Sequence, residues 1–325
     1  MAWTLLADRG DLSANRLEET GVAPARVLQF ALTANVVTYA LTGARFGYWR
    51  LFPAAAPWIV PPAWGEVDHG EGALYGLVPI GSHMTLELES VRDEWREISP
   101  HRAVLDPGYN RYLPAIGTIR EREDRMLFRP LVTLGWALAR WLREQGWFGA
   151  RRVVVTSASS KTALGFAMQA ADGPPLVGLT GNTGFVEGTT LYSSVSGYEE
   201  PIAFSGDDLV LDFAGNAALR AWPRSDGGPR IIAIGATHGN DAALEGPDVF
   251  FAPEHVGAAI VAEGLAAVER ARDEAVATFA DRSRSWFSRT YLDGSAAILE
   301  GSRALLSHGV AADRLLIARP QGEIS

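Results

Sequence analysis

Two groups of residues in this 325-residue chain have types and spacing suited to chemistry. The first is a hydroxyl-rich run, 157–162, that directly follows the β-branched segment 153–156. Hydroxyls and backbone N–H groups at a helix start bind anions, and a lysine adds a positive charge. This pattern predicts a phosphate or pyrophosphate contact through Ser157, Ser159, Ser160, Lys161 and Thr162.

Two other interpretations of this run are open. The serines could simply cap the helix while Lys161 is solvated. The run also ends like the P-loop motif GxxxxGK[ST], but Val155 and Ser160 stand where that motif needs glycines. The strand–turn–helix setting favours the phosphate contact over both alternatives.

The end of the next predicted strand bears on the type of nucleotide. Thr180-Gly181-Asn182 carries no Asp or Glu, the residue types that hydrogen-bond the ribose hydroxyls of NAD. Thr180 and Asn182 can instead donate hydrogen bonds to a 2′-phosphate. The sequence therefore favours NADP(H).

The second group consists of tyrosines and asparagines in the N-terminal part. A tyrosine hydroxyl can hydrogen-bond a carbonyl and donate its proton after a hydride arrives. The alternative is structural: the YNRY segment 109–112 would be a buried turn, and Tyr39 would be core at the end of its strand. The catalytic candidates are Asn35, Tyr39, Tyr109, Asn110 and Tyr112.

Other features narrow the chemistry. A proline- and tryptophan-rich segment, with Trp49, Trp58 and Trp64, is either a rigid cap over the core or the wall of an apolar pocket. An acidic loop holds Glu66, Asp68, His69 and Glu71, but an unpatterned acidic loop is usually solvated, and we predict no metal site. The chain contains no GxSxG motif of a serine hydrolase.

The elements that must position these residues follow from periodicity. Strand candidates 153–156, 176–180, 209–213 and 231–236 alternate with helical segments, which predicts an α/β fold with a doubly wound parallel sheet. The 3.6-residue period predicts one helix from Met126 to near Gly146 and another over 258–279, followed by a C-terminal helix and strand. The segments before 126 are short and strand-like, with Gly- and Pro-rich loops between them.

Composition excludes several classes. A net charge of −9 and a pI near 5.2 argue against nucleic acid as a main partner. No stretch reaches the roughly 18 apolar residues of a membrane span. The absence of cysteine excludes disulfides and thiol nucleophiles. A cytoplasmic protein fits best.

Several segments together resemble the medium-chain dehydrogenase/reductase superfamily, and within it the DUF2855 family, a quinone-oxidoreductase-like branch. They are FALTANVVTYALTG (30–43), YWRLFPA (48–54), YGLVPIGSHMTLE (75–87), YNRY (109–112), LFRPLVTLGW (127–136), TSASSKTALGF (156–166), GLTGNTGFVEG (178–188), DFAGNAALR (212–220) and AIGATHG (233–239).

The resemblance implies a β-rich, GroES-like catalytic domain over 1–125 and 255–325 and an inserted Rossmann-type dinucleotide-binding domain over 126–254. It also implies that Asn35 faces cofactor and substrate, and that Gly235-Ala236-Thr237-His238 lies near the nicotinamide. His238 is as readily a packing or capping residue. Relatives often pair as homodimers, so a homodimer is a further expectation.

The function that these observations favour is an NADP(H)-dependent, metal-independent reductase of an enone, a quinone or another carbonyl compound. An alternative keeps the fold without the redox step, as a lyase, isomerase or hydrolase of a carbonyl substrate, because the first βα turn lacks the usual glycines. A third is a non-catalytic protein that binds a small molecule or a partner.

Overall fold

The alternating apolar residues of the N-terminal part form strands, as the sequence predicts. The computed structural model describes residues 1–70, 72–200, 203–213, 215, 228–234 and 248–322. The chain divides into two compact units, Met1–Leu127 with Ser288–Ser325, and Phe128–Phe287.

The first unit is built on a mixed sheet of nine strands. Its order is β16-β17-β3-β5-β6-β10-β9-β8, with β7 paired to β3, and β2-β1-β4 form a separate small sheet. The strands are β1 (Ala2–Asp8), β2 (Asn15–Thr20), β3 (Ala25–Leu32), β4 (Trp58–Ile59), β5 (Pro62–Asp68), β6 (Ala73–Pro79), β7 (His83–Met84), β8 (Leu88–Val91), β9 (Glu94–Glu97), β10 (Arg111–Pro114), β16 (Ser288–Asp293) and β17 (Arg314–Arg319).

Helices of the first unit cover this sheet. They are α1 (Ala34–Leu41), α2 (Gly43–Phe46) and the C-terminal helix α8 (Gly294–Leu306), with short 3₁₀ turns at Tyr48–Arg50, Pro100–Arg102 and Pro107–Asn110. Phe30, Val67, Val78 and Ile298 are buried in the core between them. Because Tyr39 lies in α1, it is not at the end of a strand.

The second unit holds the predicted parallel sheet. Its strands are β11 (Arg152–Thr156), β12 (Leu176–Leu179), β13 (Ser194–Ser196), β14 (Asp208–Asp212) and β15 (Arg230–Ala233). They pair in the order β13-β12-β11-β14-β15, and every pairing is parallel. Val153, Val154 and Val155 are completely buried, as expected of a central strand covered on both faces.

Helices accompany these strands along the chain. Those in the described residues are α3 (Ile119–Glu144), α4 (Lys161–Gln169), α5 (Thr183–Thr189) and the consecutive pair α6 (Ala252–Glu263) and α7 (Leu265–Arg282). A Cβ on Gly135 of α3 would lie 2.5 Å from the backbone nitrogen of Phe166 in α4. Glycine therefore permits the close approach of α3 and α4.

Two helix predictions differ from the structure. Helix α3 begins at Ile119, seven residues before Met126, because Thr118 and Glu121 exchange hydrogen bonds in a capping box. The helix predicted over 258–279 is two helices, because Gly264 has φ +87° and ψ 148° and cannot continue an α-helix.

The return to the first unit also differs from the predicted domain boundary. The sequence interpretation assigned 255–325 to the catalytic domain, whereas residues up to Phe287 group with the parallel sheet. Helix α7 is the reason: Arg129 of α3 forms ion pairs with Glu269 and Asp273 of α7. The helices before β16 thereby pack within the second unit.

Candidate functional site

The turn after β11 has an unusual backbone conformation. Ser157 has φ +47°, in the left-handed region that non-glycine residues seldom adopt. Its N–H donates to the hydroxyl oxygen of Tyr198 over 2.9 Å. The next residue, Ala158, is fully buried, and its N–H donates to the carbonyl of Leu179 over 3.0 Å. The turn is thus anchored to β12 and to the segment after β13.

Helix α4 begins at the end of this turn. Ser160 is its N-cap, and its hydroxyl oxygen accepts a hydrogen bond from the Ala163 N–H over 3.2 Å. The capping role that the sequence left open is therefore present for Ser160. Lys161 and Thr162 occupy the first turn, where backbone N–H groups have no acceptor within the helix. This end of α4 also carries the positive end of the helix dipole.

Lys161 is the only lysine of the chain. Its Nζ lies 5.2 Å from the ring centroid of Phe287, in the same unit. The side chain is half-buried, which places a positive charge beside the first turn of α4. A charge in this position favours an anion.

Three of the predicted nucleotide contacts lie together. The Thr180 hydroxyl donates to Ser159 Oγ over 3.0 Å and accepts from the Asn182 N–H over 3.1 Å. Asn182 Nδ2 lies 3.5 Å from the same Ser159 oxygen. Thr180 is buried, whereas Asn182 is exposed. A Cβ on Gly181 would meet no atom within 4 Å, so the surface beside this cluster is open.

Two tyrosines that the sequence interpretation missed secure this turn. The Tyr192 hydroxyl lies 3.3 Å from both the Ala158 and the Ala163 carbonyl oxygens, and burial raises the pKa of Tyr192 well above its usual value. Tyr198, 46% exposed, contacts Ser157 through its hydroxyl. In the structure both flank the short strand β13, which the sequence pattern did not predict.

A buried carboxylate was also missed. Asp212, at the end of β14, accepts hydrogen bonds from Thr156 Oγ1 and from the Gly215 N–H, both over 3.0 Å. It is completely buried. Asp212 therefore ties the carboxyl ends of β11 and β14 together. The predicted contacts Gly235, Ala236, Thr237 and His238 lie outside the described residues.

In the first unit, three tyrosines form an aromatic cluster. The ring centroids of Tyr39 and Tyr48 are 4.7 Å apart, and that of Tyr109 lies 6.1 Å from Tyr39 and 5.3 Å from Tyr48. Tyr39 and Tyr48 are buried, and Tyr109 is partly exposed. We call Tyr39, Tyr48 and Tyr109 the tyrosine cluster; Tyr48 was not among the sequence candidates.

Hydrogen bonds define the roles of these hydroxyls. The Tyr48 and Tyr109 hydroxyl oxygens are 3.0 Å apart, and Trp64 Nε1 donates to the Tyr39 hydroxyl oxygen over 3.0 Å. Burial raises the pKa of Tyr48 to about 12 and holds the pKa of Tyr39 and of Tyr109 well above the usual range. All three phenols are therefore protonated at neutral pH.

Tyr112 and Asn110 have structural partners instead. The Tyr112 hydroxyl donates to the Leu77 carbonyl and accepts from Arg102 Nη1. Asn110 Nδ2 donates to the Arg102 carbonyl over 3.2 Å. Arg102 in turn forms a fully buried ion pair with Glu97, 3.0 Å between Nε and Oε2. Tyr112 and Asn110 therefore belong to a buried hydrogen-bond network around Arg102.

Asn35 occupies the first turn of α1, four residues before Tyr39, so the two lie on the same helix face. Its side chain is half-buried. Of the three tryptophans in the proline-rich segment, only Trp64 joins the tyrosine cluster. Trp49 Nε1 donates to the Ala40 carbonyl, and Trp58 stacks under Arg16.

The side chains of the predicted acidic loop contact different partners. Glu66 is buried and paired with Arg122, Asp68 pairs with Arg26, and the His69 ring lies against Trp95. Glu71 lies outside the described residues. Among the residues that the structure describes, no group of three His, Asp or Glu side chains is arranged to hold a metal ion. None of the described helices is long and apolar enough to cross a membrane.

Residues 30–311 match the family model described as "Protein of unknown function (DUF2855)". The chain belongs to the DUF2855 family. This confirms the resemblance found in the sequence motifs. A search of curated proteins gave no match.

Solved structures with the same fold cover nearly the whole DUF2855 chain. CurA from Vibrio vulnificus in complex with NADPH is 11% identical, with 99% of this chain and 100% of that chain covered and a TM-score of 0.53. The quinone oxidoreductase from Thermus thermophilus is 17% identical (98% and 100%; TM-score 0.51). YhdH from E. coli K-12 with bound NADPH is 12% identical (97% and 99%; TM-score 0.53). At these identities the likeness shows the fold, and it confirms the predicted combination of a β-rich unit and a Rossmann-type sheet.

Proposed function

We propose that this DUF2855 protein is an NADP(H)-dependent, metal-independent reductase of an enone, a quinone or another carbonyl compound. The observation that carries the proposal is the first βα turn of the parallel sheet. There, the hydroxyls of Ser159 and Thr180, the first turn of α4 and the only lysine lie together at the carboxyl end of β11 and β12. Such an edge is where open α/β sheets bind dinucleotides.

The donors at this edge fit the anionic parts of the nucleotide. The N–H of Thr162 and the charge of Lys161 suit a pyrophosphate at the helix N-terminus. Ser160 is less available to a phosphate, because its hydroxyl oxygen already accepts the capping hydrogen bond from the Ala163 N–H. Ser157 presents its N–H to Tyr198, so Tyr198 must yield if that N–H is to contact a phosphate.

The residues at the end of β12 suit a nucleotide with a 2′-phosphate better than one with a free 2′-hydroxyl. Thr180 and Asn182 are neutral, and the described segment 180–184 contains no carboxylate. The exposed Asn182 amide can donate to a phosphate oxygen, and nothing fills the space beside Gly181. CurA and YhdH, which share the fold, are crystallised with NADPH or NADP, and this supports the choice of NADP(H).

The tyrosine cluster suits the carbonyl part of the reaction. When bound, NADPH supplies a hydride. The phenols of Tyr39, Tyr48 and Tyr109 are protonated donors in an apolar setting formed with Leu51, Leu77 and Leu105. A neutral donor in low-dielectric surroundings stabilises an oxyanion strongly and protonates it without a metal.

The first experiment is a titration of the purified protein with NADPH and with NADH by calorimetry. Reductive ¹³C-methylation adds a second readout, because it keeps the charge of Lys161 and labels no other lysine side chain. We expect micromolar binding of NADPH, weaker binding of NADH, and a shift of the single lysine resonance on adding NADPH. An absorbance screen of enones and quinones with NADPH follows.

A matched pair of variants tests the site. Lys161→Gln should weaken NADPH binding by roughly ten- to hundredfold, because it removes a charged hydrogen-bond donor, whereas Lys161→Arg should retain most of the affinity. Absence of binding to either nucleotide at millimolar concentration would refute the reductase. Binding of NADPH with no oxidation across the screen would favour the non-redox alternative on the same fold.

A further inference from the structure

A cavity of about 200 Å³ lies within the second unit, between helices α3 and α6. Four alanines line it together with Arg140, Trp141, Glu144 and His255. Helix α3 reaches the cavity through its last two turns, shortly before β11 begins at Arg152. The cavity therefore lies toward the amino ends of the parallel strands, whereas Ser159 and Thr180 lie at the carboxyl ends.

The Trp141 ring forms an aromatic wall of this cavity and contacts three other rings. Its centroid lies 5.5 Å from that of Phe148, 5.4 Å from that of Phe250 and 5.3 Å from that of His255. His255 itself stacks on Phe250, with 4.4 Å between the centroids and 9° between the planes. A wall fixed by such packing is in place before a ligand arrives, which lowers the entropy lost on binding.

An uncommon backbone conformation places Phe148 behind this wall. The four consecutive residues 146–149 have φ between +53° and +72°, and two of them, Trp147 and Phe148, are not glycine. Left-handed backbone is unfavourable for such residues and persists where the surrounding structure holds it. Here Trp147 lies so close to Gly173 that a Cβ there would be 2.4 Å from its ring, and Arg230 lies 3.8 Å from the Phe148 centroid. Backbone held in this way is concentrated at functional sites, including sites that clamp ligands.

The charges around the cavity favour a cation. Arg140 pairs with Glu144, with 3.0 Å between Nε and Oε1, and also with Glu263. One guanidinium thus faces two carboxylates, and the carboxylate of Glu254 acts on His255 as well. The net charge of this group is negative, and the guanidinium already has its partners. An anion is therefore repelled and a cation attracted.

His255 adds a neutral hydrogen-bonding group. Burial lowers the pKa of its imidazole below the usual 6.5, and Glu254 and Glu144 offset this effect only in part. Within the described part of the chain, the imidazole packs against aromatic rings and forms no hydrogen bond. A neutral imidazole has one nitrogen that accepts a hydrogen bond. That nitrogen suits an N–H of a protonated amine.

We propose that this cavity is a binding site for a small organic amine in its protonated form. The ammonium group fits beside Glu144 and the face of Trp141, where a carboxylate and a cation–π contact both favour it. The apolar part of the amine packs on the alanines. A cavity of about 150 Å³ admits benzene, so the volume of about 200 Å³ suits a ring with a short side chain. The site is separate from the proposed nucleotide site and does not depend on the reductase function.

Three probes with one carbon skeleton test the charge preference. At neutral pH 2-phenylethylamine is a cation, 2-phenylethanol is neutral and phenylacetate is an anion. Calorimetry on the full-length protein should show saturable binding of the amine with a Kd of about 1 mM or below. The alcohol should bind about tenfold more weakly, and phenylacetate should not bind. Equal affinities for the amine and the alcohol, or tighter binding of phenylacetate, would overturn the proposal.

Variants of the cavity test the contacts. Glu144→Gln should weaken amine binding by roughly three- to fivefold, because this carboxylate is partly exposed, and should leave alcohol binding unchanged. Glu274→Gln, in an exposed position of α7, makes the same change in net charge and should have no effect. Ala258→Leu places a larger side chain in the cavity and keeps a good helix former. It should abolish amine binding while thermal unfolding shows that the fold is retained.

A spectrum of the ¹⁵N-labelled protein locates the bound amine. Of the ten tryptophan indole signals, the one absent in Trp141→Phe belongs to Trp141. It should shift on adding 2-phenylethylamine, whereas the signal of Trp64 in the first unit should stay in place. An unmoved Trp141 signal, or amine binding that survives Ala258→Leu, would overturn the site. Glu144→Gln should bind NADPH as the wild type does, so failure of this site and failure of the reductase are distinguishable.

Discussion

Thr180 donates its hydroxyl hydrogen bond to Ser159 Oγ over 3.0 Å and so joins the end of β12 to the turn after β11. The two residues are 21 positions apart in the sequence and come from the two predicted nucleotide motifs. Their contact places the donors proposed for the pyrophosphate and the donors proposed for the 2′-phosphate on one surface.

Asn182→Asp should reverse the nucleotide preference. Asn182 is exposed at the end of β12, so a carboxylate there costs little stability but repels a 2′-phosphate and accepts from ribose hydroxyls. We expect NADPH affinity to fall by about tenfold or more, while NADH affinity is kept or improved. Fluorescence titration measures both. Asn182→Ala is the control, and an equal loss for both nucleotides would contradict a 2′-phosphate contact.

Tyr112→Phe should affect stability and leave turnover intact. The variant removes the hydroxyl that bonds the Leu77 carbonyl and Arg102. Leaving these buried groups unpaired should lower the free energy of unfolding by about 1–3 kcal/mol. Urea unfolding measures the loss, and kcat with NADPH should stay at the wild-type value. A large loss of kcat at unchanged stability would return Tyr112 to the catalytic group.

The free energy of unfolding should decrease above pH 10. Burial raises the pKa of Tyr48 to about 12 in the folded protein, while an unfolded tyrosine ionises near 10. Between these values the unfolded chain has released a proton that the folded chain retains, so stability is present below pH 10 and is lost toward pH 12. The loss is about 1.4 kcal/mol per pH unit for this group. Urea unfolding at several alkaline pH values should show a shallower decrease for Tyr48→Phe.

Gly264→Ala should destabilise the protein through the backbone alone. Gly264 separates α6 from α7 with φ +87°, and a Cβ there would meet no atom within 4 Å. Forcing alanine into this conformation should cost about 1 kcal/mol or more. Gly257→Ala is the matched control, since Gly257 lies inside α6 with equally open space. It should stabilise by up to about 1 kcal/mol, as thermal unfolding would show.

Local patterns were sufficient to predict much of the second unit. Four consecutive β-branched residues ending at Thr156 can be covered on both faces only in a central strand, and β11 is that strand. Ser160 precedes an apolar helical pattern, and it is the N-cap of α4. These features depend on neighbours a few residues away, which the sequence displays directly.

The helix boundaries were harder to predict, because they depend on single residues that leave the apolar periodicity unchanged. The stripe over 258–279 continues across Gly264, yet the left-handed backbone of that residue divides it. In the same way Thr118 and Glu121 start α3 before its apolar stripe begins. Periodicity reports which face is buried, and capping geometry decides where a helix ends.

The sequence by itself determined the fold family, the strand–turn–helix of residues 152–169 and the residue types able to bind a nucleotide or a carbonyl. Tertiary structure alone decided which partner each tyrosine hydroxyl meets. Tyr39, Tyr109 and Tyr112 look alike in the sequence, but Tyr39 meets Trp64, Tyr109 meets Tyr48, and Tyr112 meets Leu77 and Arg102. A hydroxyl's chemistry depends on its hydrogen-bond partners and burial, and those partners come from strands and helices distant in the chain.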